Sequence, residues 1–319
     1  MTIQIKQSAA DLAQKLGFGL LIQLMLLTFS TITVEAEKSQ AEQILESARK
    51  NAKSNRHCDI ALKEAEQVIT IQPTLVEAYL IKAECEDYLI GADAAIATLR
   101  SALNRNLQSA ELWKTLGTLY DAKRNYELAV QAYTKAIAID PRDAGVLHQR
   151  GMAYTELKRT DLAIEDMTKC INLDPGRSAF YEWRAFAYEQ KQKWNESLAD
   201  LNKAILLADN VHKTRYLSHR ADAYVKLNKQ KAAINDYDTL LKFNSMDDTF
   251  WLKRGDCYMA LGDFKEAVKN YTETISLGDS STAYYARSKA YQKLGLTDLA
   301  NKDKATGDQL LKGKAVTPI

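Results

Sequence analysis

The chain has 319 residues, of which 26% are charged, and Lys and Arg nearly balance Asp and Glu to give a formal net charge of +2. This balance describes a soluble surface and argues against a basic stripe for nucleic acid or a charged funnel for acidic substrates. Glycine and proline number only 13 and 4, so few loops are available.

The first 36 residues carry the features of an export segment. A weakly basic start precedes the apolar run of residues 17–29, and small residues flank a possible cleavage site after Ala36. These features predict a cleaved secretory signal peptide. Counted on to Val34, the segment reaches 18 residues, the lower limit for a bilayer span, so residues 17–34 could instead be a membrane anchor. A third interpretation is a buried helix that caps the following region inside the cytoplasm.

From residue 42 to residue 314 one pattern recurs about every 34 residues, with apolar residues at helical spacing in two segments of each repeat, helix A and helix B. No β-strand alternation accompanies it, so the sequence predicts an all-α chain. The clearest copy reads Trp113, Leu116, Gly117, Tyr120, Ala129, Tyr133, Ala136, Pro141. The repeats lie at 42–75, 76–109, 110–143, 144–177, 178–213, 214–247, 248–280 and 281–314, followed by a polar tail at 315–319.

Positions are numbered from the first residue of each repeat. Small residues at positions 8 and 20 predict a close approach of helices A and B. Tyrosines at position 11 are predicted to fill the space between them: Tyr120, Tyr154, Tyr188, Tyr224, Tyr258 and Tyr291. Repeat 5 is two residues longer than the common period, which predicts a longer, mobile loop at 208–213. Both terminal repeats are more polar, as the ends of an open stack require.

Arginine occupies position 7 in five successive repeats, and sixteen residues later comes an aspartate or asparagine. A guanidinium makes a two-pronged contact with a carboxylate, so the sequence predicts a bridge between helices A and B of one repeat. The alternative is an arginine ladder that binds an acidic ligand. The predicted pairs are Arg150–Asp166, Arg184–Asp200, Arg220–Asp236, Arg254–Asn270 and Arg287–Asp303.

The period and spacings resemble the tetratricopeptide repeat family over residues 42–311, most strongly from 76 to 296. The resemblance implies a right-handed superhelical solenoid of about eight antiparallel helix-turn-helix repeats. In that family the A helices line a concave groove that holds extended peptides or partner helices. The implied function is therefore a non-enzymatic scaffold for a peptide or protein partner.

The resemblance assigns the groove to helix A positions 2, 5, 6, 9, 12 and 13. A central patch of Met152, Trp183 and Phe186 at these positions is the predicted partner-binding site, because large aromatic side chains anchor partners well. Alternatively, Trp183 and Phe186 only pack against the neighbouring A helix. The full set of predicted groove residues is His148, Met152, Trp183, Phe186, His219, Asp222 and Asp256.

A second hypothesis is a periplasmic metal carrier, since imidazole and carboxylate ligands suit Zn or Mn and His148, His219, Asp222 and Asp256 share the groove. These residues lack a metal-ligand spacing motif, so no metal or other cofactor is predicted. No phosphate-binding or zinc-protease motif is present, and no catalytic residue is assigned. Export would permit a disulfide, for which the adjacent-repeat pair Cys58 and Cys85 is the candidate.

Together these observations predict an exported protein-binding scaffold in the periplasm or another extracytoplasmic space. Assembly of an envelope complex is one role that such a scaffold could have. Nucleic acid is not an expected partner, and a membrane is expected only if the N-terminal segment stays uncleaved.

Overall fold

A computed structural model describes residues 18–314, and the predicted start of the export segment and the polar tail lie outside them. The chain divides into two compact units, residues 1–141 and 142–319, at the border between repeats 3 and 4. Unit 1 contains helices Phe18–Ala52 (α1), Cys58–Ile71 (α2), Val76–Leu89 (α3), Ala92–Asn104 (α4), Ala110–Ala122 (α5) and Tyr126–Ile139 (α6), and a short 3-10 helix at Asn55–His57.

Unit 2 continues the same alternation of A and B helices. They are Ala144–Glu156 (α7), Thr160–Leu173 (α8), Ser178–Gln190 (α9), Trp194–Leu207 (α10), Asn210–Lys226 (α11), Gln230–Phe243 (α12), Asp248–Leu261 (α13), Phe264–Leu277 (α14), Ser281–Lys293 (α15) and Thr297–Lys314 (α16). Between residues 18 and 314 there is no strand. The predicted all-α fold of about eight helix-turn-helix repeats is confirmed.

Helix α1 is 35 residues long and runs without interruption through the possible cleavage site after Ala36. Among the α1 side chains that the structure describes, the buried ones are Ala41, Leu45, Ala48 and Ala52, which follow that site. Leu45, Ala48 and Ala52 pack with α2 and α3 as the A helix of repeat 1. Within the described part of the chain, none of the helices combines the length and apolar character that crossing a bilayer requires.

The turn from helix A to helix B has the same backbone in six repeats. Position 15 is left-handed, as at Arg124 with φ 58° and Gly262 with φ 79°. The next N–H then bonds back to the carbonyl of the position-11 tyrosine, for example Asn125 N to Tyr120 O at 2.8 Å. This six-to-one bond satisfies carbonyls that the end of helix A leaves open.

Helices A and B approach closely where a small residue of helix A meets a large side chain of helix B. Tyr133, Tyr237 and Tyr271 at position 24 are at most 1% exposed, whereas most of the position-11 tyrosines are only half-buried. Position 24 therefore holds the most deeply buried rings, while position-11 tyrosines such as Tyr224 and Tyr258 pack against the same core as half-buried side chains. A Cβ on Gly117 would lie 2.5 Å from Cε1 of Tyr133, so the ring excludes a larger residue there.

The two extra residues of repeat 5 lengthen the following helix. Only Ala208 and Asp209 separate α10 from α11, and α11 has 17 residues where other A helices of unit 2 have 13 or 14. The Asp209 side chain accepts a hydrogen bond from the backbone N–H of His212 at 2.9 Å and caps the helix. The predicted mobile loop at 208–213 is therefore wrong.

The position-7 arginines of unit 2 bridge helices A and B. Four of them donate from Nε and Nη2 to both carboxylate oxygens of an aspartate at 2.6–2.9 Å: Arg150 to Asp166, Arg184 to Asp200, Arg220 to Asp236, and Arg287 to Asp303. The aspartates are at most 6% exposed. Burial makes this pairing strongly dependent on geometry, since an unpaired carboxylate would remain in the interior.

In four repeats of unit 2 the position-7 arginine makes a third contact, which joins its repeat to the one before. The sequence did not reveal this contact. The Nη1 atom of the arginine reaches position 25 of the preceding B helix, at 2.7–3.1 Å in three cases: Arg184 to Thr168, Arg220 to Asn202, and Arg287 to Thr272. Arg254 pairs in the same way with Asp238 and bonds only through Nε to Asn270, at 2.7 Å. The carboxylate partner of Arg254 is thus at position 25 of the preceding repeat, and position 23 of its own repeat is the neutral Asn270. We call the arginine and its contacts the arginine clamp.

All four cysteines are buried, free thiols. Cys58 and Cys85, the candidate disulfide pair, lie in one apolar cluster of unit 1 with residues of α1 and α2. Burial raises the pKa of the Cys85 thiol to about 12, so this group is not a thiolate nucleophile at neutral pH.

Replacing Gly117 with Ala should lower the free energy of unfolding by about 1–3 kcal/mol, because the new Cβ would collide with the fully buried Tyr133 ring. The better helix propensity of alanine offsets only part of this loss. Urea denaturation measures the difference. Gly176→Ala is the control, since its Cβ would meet only Asp174 at 3.5 Å. Equal or higher stability of the Gly117 variant would contradict the packing argument.

Arg184→Ala should lower the free energy of unfolding by about 3 kcal/mol or more, because Asp200 would stay buried without its partner. The folded fraction should still bind ligand if the clamp is purely structural. Lys169→Ala breaks an exposed pair with Glu165 and should cost less than about 1 kcal/mol. Loss of ligand binding with an unchanged melting temperature would instead assign Arg184 to the ligand.

Candidate functional site

The A helices of unit 2 share one face, which carries positions 2, 5, 6, 9 and 12 because these positions recur at helical spacing. Neighbouring A helices contact one another through it, as Glu182 of α9 does with Arg215 of α11. We call this surface the A-helix face of unit 2. All seven predicted groove residues lie in the A helices that form it.

An aromatic cluster occupies the face between α7 and α9. The His148 ring lies 5.3 Å from Phe180 and 6.2 Å from Trp183, and Trp183 lies 6.0 Å from Phe186 at nearly a right angle. Edge-to-face arrangements of this kind are favourable for aromatic rings. Phe180 is fully buried, whereas His148, Trp183 and Phe186 are half-buried. The cluster therefore packs neighbouring A helices together and also presents aromatic surface.

The aromatic cluster differs from the predicted patch at two residues. Phe180 belongs to the cluster, although its position 3 is not among the predicted groove positions. Met152 is half-buried one turn beyond His148 on α7. The structure thus joins His148, Trp183 and Phe186 through ring contacts.

His148 is neutral at physiological pH. Burial, reinforced by the positive charge of Arg177, lowers its pKa to about 4. Its Nε2 atom is buried and has no hydrogen-bond partner among the described residues. A buried polar atom without a partner costs free energy, so this nitrogen is an unsatisfied polar group within the aromatic cluster.

The charged residues of the face bridge successive A helices. Arg215 of α11 contacts Glu182 of α9 at 2.6 Å. His219 Nδ1 lies 3.9 Å from a carboxylate oxygen of Glu189, and this nearby carboxylate raises the pKa of the imidazole. One helix further along, Lys253 contacts both oxygens of Asp222 at 2.8 and 2.9 Å.

Buried tyrosines of the B helices hold the two aspartates of the face. The Tyr237 hydroxyl donates to Asp222 at 2.9 Å, and the Tyr271 hydroxyl donates to Asp256 at 2.8 Å. Both bonds run from position 24 to position 9 of the same repeat. They fix where each carboxylate lies on the face.

The structure does not bring the four residues of the metal hypothesis together. His148 belongs to the aromatic cluster, while His219, Asp222 and Asp256 each have a different protein partner. Within residues 18–314, no three His, Cys, Asp or Glu side chains are grouped to hold a metal ion.

Comparison with known proteins agrees with the repeat geometry. Models described as tetratricopeptide repeat match residues 110–143, 144–177 and 249–277, and one described as TPR repeat matches 221–262. These are repeat models and indicate no enzyme family.

One curated relative is the mitochondrial import receptor subunit TOM34 of Rattus norvegicus, 33% identical over 70 residues, which are 22% of this chain and 23% of that protein. The chain spans about a quarter of the length of the curated relatives it matches.

Solved structures of low sequence identity share the fold. The C-terminal part of a TPR repeat-containing protein from Cytophaga hutchinsonii superposes with a TM-score of 0.65 at 17% identity, covering 76% of this chain and 98% of that one. A tetratricopeptide repeat protein from Parabacteroides merdae has a TM-score of 0.53 at 16% identity, covering 82% and 99%. The matched repeat models show that the chain contains tetratricopeptide repeats, and the likenesses to solved structures show that it shares their fold.

Proposed function

We propose that this chain is a non-enzymatic scaffold and that the A-helix face of unit 2 binds an extended segment of a partner protein. Tetratricopeptide repeats are protein-binding modules, and this supports the coarse function. The aromatic cluster of His148, Trp183 and Phe186 is the observation that carries the position of the site.

The cluster has the properties of an anchor site. Trp183 and Phe186 are held by ring contacts, so they lose little conformational entropy when a partner covers them. Their half-buried surfaces leave apolar area for an incoming side chain. The buried Nε2 of His148 lies within the same cluster without a hydrogen-bond partner, and it could act as donor or acceptor according to its tautomer if a partner exposed it.

The double variant Trp183→Ala/Phe186→Ala should lose most of the partner that the wild type captures from extracts of the source cells, because both apolar anchors are removed. Quantitative mass spectrometry of the recovered proteins measures the loss. Leu162→Ala/Leu206→Ala is the control, because it removes exposed apolar side chains of two B helices. If the double variant melts like the wild type and recovers the same proteins, the aromatic cluster is not the site.

Export would place this scaffold outside the cytoplasm, where a partner in an envelope complex would meet it. The apolar run at 17–29 and the small residues before Ala36 support export. The packing of α1 is compatible with cleavage, since its buried contacts begin at Ala41, beyond the proposed cut. The mature chain would thus keep the helix that covers α2.

Expression of the full chain in its source cells should give a mature form that begins at residue 37. Mass spectrometry of the N-terminus, on fractionated cells, measures this directly. Ala36→Leu should block processing, because signal peptidases require a small residue there. A chain recovered intact from the cytoplasm would contradict export, and an intact chain in the membrane fraction would support the anchor alternative.

A further inference from the structure

Bridges between A helices of unit 2 follow a regular order, with the acid on one helix and the base on the next. Glu182 bridges to Arg215, Glu189 to His219 and Asp222 to Lys253. The last of these joins position 9 of α11 to position 6 of α13. The equivalent positions of the next interval are occupied by Asp256 and Ala286.

The series therefore breaks between α13 and α15. Asp256 accepts the hydrogen bond of Tyr271 as Asp222 accepts that of Tyr237. Among the described residues, however, no basic nitrogen lies within 4 Å of Asp256. Of the two lysines of α15, Lys289 lies nearer the equivalent site, at position 9 instead of position 6. Burial raises the pKa of Asp256 and the positive charge of Lys289 opposes this rise, but among the described residues the two form no ion pair within 4 Å. Asp256 therefore lacks the direct lysine contact that Asp222 has.

A cavity of about 390 Å³ lies where that cation is missing. We call it the α13–α15 cavity. Asp256 and Tyr271 line it from one repeat, and Tyr285 and Ala286 line it from the next. The small Ala286 side chain leaves open the space that a lysine at position 6 would cross. Met259 and Tyr285 supply apolar and aromatic surface of the kind that the stems of lysine and arginine cover.

We propose that the α13–α15 cavity receives a lysine or arginine side chain of the partner segment, which bonds to Asp256 as Lys253 bonds to Asp222. This inference rests on the proposed function, because it assigns the chemistry of a second contact on the same face. The preferred partner carries that basic side chain in addition to an apolar anchor.

The test uses the full chain with methyl-labelled methionine and the resonance of Met259, which lines the cavity. The probes are N-acetylarginine methylamide, N-acetyl-lysine methylamide and N-acetylglutamate methylamide. The two basic probes should shift the resonance and the acidic probe should not. Asp256→Asn keeps the acceptor for Tyr271 and should weaken binding of the basic probes about tenfold or more.

Two matched variants test the same inference from opposite sides. Ala286→Lys should supply the missing cation from within the chain and abolish binding of the basic probes. Lys253→Ala should free Asp222 and create a second site for them in the neighbouring cavity of about 370 Å³, which Asp222 and Asp256 both line. Asp279→Asn, in an exposed turn, should leave every titration unchanged.

The inference is overturned if no probe shifts Met259, if the acidic and basic probes act alike, or if Asp256→Asn binds the basic probes as tightly as the wild type. Ala286→Lys keeps the test valid if Asp256→Asn fails to fold. The double variant Trp183→Ala/Phe186→Ala should titrate normally with these probes. A failure of the aromatic anchor and a failure of the cation site are therefore distinguished.

Discussion

The arginine clamp is the interaction on which the geometry of unit 2 depends. One guanidinium joins helix A to helix B of its own repeat and, in four repeats, to helix B of the repeat before. Buried ion pairs of this kind contribute less to net stability than to the selection of one arrangement, since every other arrangement leaves a carboxylate unpaired. The clamp residue at position 7 directly follows position 6 of the A-helix face. The contact that fixes the helices therefore also fixes where Trp183, His219 and Lys253 are presented.

Much of this fold could be predicted from the sequence, because the repeat period is a local signal. Residues within one repeat are enough to predict the helix pairs. They are also enough to predict that the position-7 arginine pairs with position 23. The position-25 partners do not, since they lie in the preceding repeat and change type from Thr168 to Asn202 and Asp238. The role of position 24 was also missed, because tyrosine occurs at position 11 in more repeats and packing depth is not visible in a sequence. The length of α11 depended on a cap by Asp209, which resembles an ordinary loop residue.

The candidate site was predictable in position more than in chemistry. Helical spacing correctly placed His148 near Trp183, because the two residues lie on adjacent A helices of the same face. It could not show that Asp222 is already paired with Lys253 while Asp256 is not, since both aspartates occupy position 9. That difference arises from one residue on a neighbouring helix, Ala286. The residues of the metal hypothesis also share a face, yet within residues 18–314 no three His, Cys, Asp or Glu side chains are grouped to hold an ion.

The third contact of the clamp has a consequence for how unit 2 opens. In a stack of repeats, stability is the sum of each repeat's own folding energy and the coupling to its neighbours. An arginine that bonds across the border between two repeats strengthens the coupling between them. A repeat that unfolds alone therefore breaks the contacts of its arginine both within the repeat and with the preceding repeat. In unit 1 the equivalent residue of repeat 3 is Leu116, which can form no such charged link, whereas Lys82 of repeat 2 makes one to Glu66 of repeat 1 at 2.7 Å. Fluctuations in unit 2 should therefore spread over several repeats at once.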